Sequence, residues 1–453
     1  MNKDLTKGPI LRTMLTFAVP MILGNLLQQC YNIADTMIVG KYLGKDALAA
    51  VGSSFTLMTF LTSILLGLCM GSGAVFSIRF GQRDKEGLKE SISASFILIA
   101  GLTILLNILT FVCLDGIRVF LQVPEEVWEL MREYLAVIFC GIAATFLYNY
   151  FASFLRAIGN SVVPLLFLAV SALLNIILDL VFVLTLKRGA AGAAEATVIS
   201  QYVSGLGIMA YTLIRHSDVR ASLRHFRISW ARIREISGFS ILTCIQQSVM
   251  NLGILMVQGL VNSFGSVVMA AFAAAVKIDA FAYMPVQDFG NAFSTFIAQN
   301  YGAKKEDRIR TGLKGAVLTS AAFSIAVSGI VCLFARPLMG LFVDGKDAAA
   351  AEILQEGIRY LHIEGSFYCG IGCLFLLYGL YRALGKPGMS VVLTVISLGT
   401  RVALAYALSA IPSIGVVGIW WSVPIGWFLA DAAGLAYYFL RKKQLLAWRD
   451  ECS

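Results

Sequence analysis

Twelve long apolar stretches leave this chain little choice of solvent. Cut at its charged and Gly/Pro-rich breaks, the sequence falls into segments near residues 11–39, 48–78, 92–114, 131–155, 163–185, 191–214, 235–262, 267–299, 313–335, 355–381, 389–410 and 416–440. Each reaches the roughly 20 mainly apolar residues that a helix needs to cross a bilayer. The longer ones imply tilt, kinks or ends that project from the membrane. Composition agrees, with 58% hydrophobic residues, 14% charged and a mean hydropathy of +0.78. Soluble domains carry about 25% charged residues. The expected fold is an all-α polytopic membrane protein with twelve transmembrane helices. The opening residues, MNKDLTKGPILRTML, lack a short apolar core ending in a small-residue cleavage site, so the first segment is expected to be a permanent helix.

The net charge of +9 has a sidedness that explains it. With twelve spans, 25 of the 36 Lys and Arg residues fall in the termini and the even-numbered connections. Nine fall in the odd-numbered ones, and Lys277 and Arg401 lie inside spans. This is the positive-inside bias, and it places both termini in the cytoplasm of a bacterial-type plasma (inner) membrane. The basic connection after the sixth segment (Arg215, Arg220, Arg224, Arg227, Arg232, Arg234) then reads as a tether on anionic lipid, not as a nucleic-acid surface. The nine cysteines form no CxxC pair, and Cys369 with Cys373 makes two thiols without further metal ligands, so no metal centre or cofactor is expected from them.

The two halves of the chain read as one diverged repeat. LGKDALAAVG (43–52) aligns with FGSVVMAAFA (264–273), and FGQRD (80–84) with YGAKK (301–305), both at an offset of 221. FLRAIGN (154–160) aligns with LYRALGK (380–386), and GAAG (189–192) with GVVG (415–418), at 226. Six helices plus six, each set starting on the same membrane side, make a parallel repeat, an arrangement common in transporters. The expected division is an N-terminal lobe over 1–214, a basic cytoplasmic linker over 215–234 and a C-terminal lobe over 235–453.

Polar groups inside the apolar segments are the strongest functional signal, because a carboxylate at mid-membrane costs about 3 kcal/mol unless paired, hydrated or neutralised. Asp35, Asp179, Asp279, Asp288, Glu364 and Asp431 are such groups. Asn175 and Asp179 are four residues apart and share a helical face. Thr197 follows eighteen residues after Asp179, beyond a short turn, and Asp35 ends the polar run QQCYNIAD. Two carboxylates, an amide oxygen and a hydroxyl are hard donors, suited to Na⁺ and equally to a shared proton. Only if Na⁺ is the coupling ion are these four residues metal ligands. The repeat places Arg401 and Ala405 opposite Asn175 and Asp179, and Met256 or Val257 opposite Asp35. A set needed for packing alone would recur in both halves; this one does not. Asp279 and Asp288 are a possible second acidic site.

At these residues the chain resembles the multidrug and toxic-compound extrusion (MATE) family of the multidrug/oligosaccharidyl-lipid/polysaccharide exporter superfamily. The resemblance spans the chain and rests on Pro20 and Asp35, the run Ala47 to Gly52, and FGQRD. It rests also on Asn175, Asp179 and Thr197, AQNYGA (298–303), and the paired RAIGN and RALGK. It implies two pseudo-symmetric six-helix lobes in a V around a central cavity, a cation site at Asp35, Asn175, Asp179 and Thr197, and a bend of the first helix at Pro20. Some relatives carry an acidic residue in the seventh helix; here that helix offers Gln246, Gln247, Asn251 and Gln258 instead.

The implied activity is H⁺- or Na⁺-coupled antiport that exports cationic or amphipathic small molecules by alternating access. The alternative is a flippase for a lipid-linked saccharide, which should line its cavity with basic residues. Gln28, Tyr31, Tyr148, Asn149, Gln247, Met250, Met284 and Gln287 are candidate substrate contacts, being polar or soft residues on cavity helices. Membrane lipid is the expected surroundings; no nucleic acid or protein partner is required by the pattern, and a monomer is expected. An enzyme is not expected, since the Gly-rich run GLCMGSGA lacks the Lys-Ser/Thr ending of a phosphate loop and His216, His225 and His362 stand beside no recognisable nucleophile.

Overall fold

The computed structural model describes residues 3–43, 45–116, 125–224, 229–343 and 349–446; His225 and Arg227 lie outside them. The helices in chain order are α1 Ile10–Leu43, α2 Lys45–Gln82, α3 Lys85–Val112, α4 Glu125–Phe139, α5 Ile142–Ala157, α6 Val162–Asp179, α7 Gly189–Arg215 and the short α8 Ser217–Arg224. Then follow α9 Trp230–Asn262, α10 Ser266–Gly302, α11 Glu306–Leu333, the short α12 Ala335–Gly340, α13 Ala350–Gly365, α14 Tyr368–Ala383, α15 Pro387–Ser409 and α16 Val416–Leu445. Among the described residues ten helices are long and apolar enough to cross a membrane, and twelve spans result if each bent pair counts as one.

Two of the expected spans, 131–155 and 355–381, are bent pairs, the kind of kink that the longer segments imply. α4 meets α5 at 43°, and α13 meets α14 at 50°. The first break is at Cys140 and Gly141, where tight i→i−3 bonds (Cys140 N–H to Val137 O, Gly141 N–H to Ile138 O) replace the α ladder. The second, at Ser366 and Phe367, lies 226 residues on, and Phe367 N–H bonds Glu364 O in the same manner. Left-handed backbone repeats as well. Arg83 pairs with Lys304 at offset 221, and Gly159 with Gly385 and Gly189 with Gly415 at 226. Behind them are the same helix-ending bonds: Asp84 N–H to Arg79 O matches Lys305 N–H to Asn300 O, and Asn160 N–H to Leu155 O matches Lys386 N–H to Tyr381 O. The repeat read from short sequence matches is therefore written into the turns.

By packing, the chain forms two compact units, one of Met1–Asp4 with Val19–Cys244 and the other of Leu5–Ala18 with Ile245–Ser453. The division is thus inside α1, one residue before Pro20, and inside α9, rather than in the 215–234 connection. Glycine explains the second assignment. A Cβ at Gly71 would stand 2.5 Å from Phe239 O, and one at Gly67 2.5 Å from the Cys244 Cα. Backbone can approach that closely only where both residues stay bare. Ser72 and Ser240 share a hydrogen bond at 2.8 Å along the same seam. At its end Arg79 bonds Glu235 at 2.9 Å, and Arg232 bonds both Glu90 and Glu235 at 3.1 Å.

Each unit has its own aromatic core. In the first, Phe76, Phe96, Phe146 and Phe151 pack edge-on or tilted around Tyr150, whose hydroxyl donates to Ile92 O. In the second, Phe272 stacks on Trp420 with Tyr360 edge-on to both. Trp420 Nε1 donates to Glu356 Oε1 at 2.8 Å, which satisfies the buried indole N–H. Large apolar side chains such as Ile104, Val112, Leu333 and Leu440 point outward and stay exposed, as a lipid-facing surface requires.

Candidate functional site

In the first unit the site is assembled from α1, α6 and α7. α6 reads VVPLLFLAVSALLNIILD, and its polar residues Ser171, Asn175 and Asp179 recur every four positions, so they form one buried stripe. α7 faces that stripe. Ser171 Oγ donates to Ser200 O at 2.9 Å, and Asn175 Nδ2 donates to Thr197 Oγ1 at 3.2 Å. These two rungs fix the register of the α6–α7 hairpin, with Asp179 on the turn-ward side of them. α1 supplies Gln28, Tyr31 and Asp35, again at spacings of three and four, which brings all three to one face.

The Asp35 and Asp179 carboxyl groups lie within hydrogen-bonding reach of each other. Asp179 and Asn175 are 0% and 2% exposed, so water screens them poorly. Asp35 Oδ1, Asn175 Oδ1 and both Asp179 oxygens are buried without a hydrogen-bond donor. Asn175 spends its amide N–H on Thr197, which turns its carbonyl oxygen toward no donor. Four orphaned acceptors on two touching carboxylates and an amide are the inverse of a satisfied packing network, since buried polar atoms are otherwise nearly always paired. Two carboxylates, an amide oxygen and a hydroxyl are a hard-oxygen donor set, the kind suited to H⁺ or an alkali ion.

Tyr134 of α4 lies within electrostatic reach of both carboxylates, and Tyr31 within reach of Asp35, with Gln28 beside its hydroxyl. Sequence reasoning named Tyr31 and Gln28 as substrate contacts and did not name Tyr134. The signal for Tyr134 was present: at offset 226 its repeat partner is Tyr360. Tyr148 is close to Tyr31, but its hydroxyl donates to Pro164 O at 3.1 Å, and Asn149 Nδ2 bonds Thr145 O within its own helix. Gln247, Met250, Met284 and Gln287 belong to the second unit, on α9 and α10, with Gln247 buried and the other three half-buried.

The second unit gathers a different buried cluster. Asp279 of α10 and Glu364 of α13 face each other, 5% and 1% exposed, among the hydroxyls of Tyr360 and Tyr368 and within electrostatic reach of Arg401 on α15. Asp279 thus groups with Glu364 and not with Asp288. The latter is nine residues further along the same helix, about 13 Å in rise and half a turn out of phase. Asp279 Oδ1 and Glu364 Oε2 are likewise buried without a hydrogen-bond donor, but Arg401, the repeat partner of Asn175, gives this half a fixed cation at the corresponding position. Asp431, the remaining buried carboxylate, lies against the Cys373 thiol.

α6 also ends unusually. At Asp179 it passes into a π-helical turn, Leu180–Thr185, closed by Leu186 N–H to Val181 O at 2.9 Å, an i→i−5 bond. Left-handed Lys187 and Gly189 then reverse the chain into α7, where Arg188 pairs with Glu195 at 2.8 Å.

Comparison with known proteins agrees with this architecture. The family model described as MatE matches residues 20–181 and again 240–407. The two matches start 220 residues apart and end 226 apart, within a residue of the internal repeat's offsets of 221 and 226. The "Probable multidrug resistance protein YpnP" of Bacillus subtilis is 30% identical over 437 residues, 96% of each chain. YoeA of the same organism, described in the same words, is 27% identical over 452 residues, covering 97% of this chain and 96% of its own. Among solved structures, an outward-facing multidrug resistance MATE family transporter superposes with a TM-score of 0.90 at 26% identity, covering 98% of both chains.

Proposed function

Since this chain belongs to the MatE family of multidrug transporters, we propose that it is a cation-coupled antiporter that exports cationic or amphipathic small molecules by alternating access. The observation that carries the reading is the set of four buried acceptor oxygens without donors on Asp35, Asn175 and Asp179. Two carboxylates in contact inside a membrane protein repel strongly at low dielectric, and a proton or Na⁺ between them removes the repulsion. When the cation leaves, negative charge returns to the lobe and attracts a cationic substrate. When it binds, the attraction ends. Coupling follows because each ligand favours the state that the other disfavours. Thr197 and Asn175 orient the site, Asp35 and Asp179 hold the charge, and Pro20 weakens α1 beside the point where that helix passes from one unit to the other. The positive-inside bias supports cytoplasmic termini in a bacterial-type inner membrane.

The test is ethidium efflux from proteoliposomes, with a pH gradient and a Na⁺ gradient imposed separately, for the wild type and Asp179→Asn. Transport that follows one gradient and falls at least tenfold in the variant supports the reading and names the ion. Gradient-driven export by Asp179→Asn at the wild-type rate overturns it. Absence of transport for every cationic dye redirects the search to lipid-linked substrates.

A further inference from the structure

A helix that crosses a membrane gains nothing from a π turn by itself. The i→i+5 closure packs one more residue into a turn and strains the ladder, so such turns persist where their geometry is used, frequently at functional sites. Leu180–Thr185 begins one residue after Asp179. It is the segment through which α6 must reach the tight reversal at Lys187 and Gly189 before α7 descends past Thr197. The climb from Asn175 to the reversal and the return to Thr197 must match in length and in phase for Asn175 Nδ2 to meet Thr197 Oγ1 at 3.2 Å. One residue more or fewer in the climb turns everything beyond it by about 100°, the angle per residue of a 3.6-residue helix. The turn is also fixed from the other side. Gly192 of α7 lies so close that a Cβ there would stand 3.2 Å from the Phe182 Cβ, and Arg188 N–H bonds Phe182 O at 2.9 Å. Val181 and Leu184 remain more than a third exposed, so the turn is held by its count of residues rather than by burial of all its side chains.

We infer that the π turn Leu180–Thr185 is the positioning element of the cation site: its extra residue sets the α6–α7 register that puts Thr197 on Asn175 and leaves the Asp179 carboxylate without a backbone or side-chain donor. The inference rests on the proposed cation role of Asp35, Asn175, Asp179 and Thr197, and it adds the element that holds them. No side chain of the turn touches the ion; the turn acts through the helix it phases.

Deleting Val181 closes the turn toward an ordinary α-helix, and inserting one alanine between Leu184 and Thr185 of the deleted chain restores the count. Two readouts are taken in native membranes and in purified protein. Register is read by oxidative cross-linking of Asn175→Cys with Thr197→Cys in a background without the native cysteines. Cation binding is read, with all four site residues intact, as the shift of the thermal midpoint on adding Na⁺ or lowering the pH. The deletion should reduce the cross-linking rate at least tenfold and abolish the cation-dependent shift, and the restored count should recover both. A deletion variant that cross-links as fast as its parent overturns the inference. So does one that fails to reach the membrane while the restored chain reaches it, since the count would then serve assembly of the lobe. If the wild type itself shows no cation-dependent shift, the functional reading fails, and the cross-linking arm still decides whether the turn sets the register.

Discussion

The hydroxyl of Thr197 has two roles in the proposed site: it accepts the Asn175 amide hydrogen, and its oxygen is one of the cation's donors. Those roles separate under substitution. Thr197→Val keeps the β-branched shape but leaves the Asn175 amide without an acceptor, which costs about 1–3 kcal/mol when the donor is buried. Thr197→Ser keeps the oxygen and loses a methyl group. Coupled efflux should therefore fall severalfold in Thr197→Val and stay near wild type in Thr197→Ser, measured as dye export under the driving gradient. Equal loss in both would mean that the methyl packing matters and the oxygen does not. Asp35 and Asp179 belong to a different class of residue, because neutralising one of them removes a repulsion that the fold tolerates. Asp179→Asn should leave the thermal midpoint within a few degrees of wild type while coupling is lost. That combination distinguishes a site from a support.

At the scale of the element, α1 shows how a helix can be continuous in backbone and divided in allegiance. Residues 10–18 pack with the second unit and residues from 19 on with the first, and Pro20 sits one step past the boundary. Proline in a helix interior removes one i→i−4 bond and costs about 3 kcal/mol. Pro20→Ala should restore the bond, raise the thermal midpoint and slow turnover, with the cation-dependent thermal shift retained. A variant that transports at the wild-type rate would remove Pro20 from the mechanism. This scale also separates what the sequence reveals from what it conceals. The spans, the repeat and the trio Asp35, Asn175 and Asp179 stand out because a carboxylate or amide in an apolar run is anomalous in itself. Tyr134 does not stand out, since a tyrosine in a membrane helix is ordinary until its neighbours are known. The breaks at Cys140 and Ser366 were hidden because average hydropathy is indifferent to a bend. The π turn leaves no mark in LVFVLT, where every residue suits an α-helix equally well; only the distance that the hairpin must span selects it. The allegiance of α9 was hidden for the opposite reason. Gly67 and Gly71 advertise close packing but do not say against what.

For the whole molecule, the informative fact is that one repeat unit has been specialised in two directions. The first unit has Asn175 where the second has Arg401, while both keep a tyrosine at the paired positions Tyr134 and Tyr360. The first leaves two carboxylates with no resident cation, while the second surrounds Asp279 and Glu364 with tyrosine hydroxyls and a guanidinium. A buried carboxyl group facing a cation on its own chain is a structural device, costly to break because the survivor is left buried and uncompensated. Arg401→Asn, which gives the second unit the residue of the first, should therefore destabilise the protein. The full penalty for breaking a buried pair is about 3–5 kcal/mol. Arg401 is half-buried, so the loss should be smaller, on the order of 2 kcal/mol. Adding Glu364→Gln removes the repulsion that Arg401 was offsetting, and the double variant should recover most of the loss. The thermal midpoints of the two single variants and the double variant form a cycle whose coupling energy is the quantity to measure. A coupling near zero would show that Arg401 serves something other than the acid pair. A strong coupling would show that the asymmetry between the lobes lies in where the cation comes from: solution in one half, the chain itself in the other.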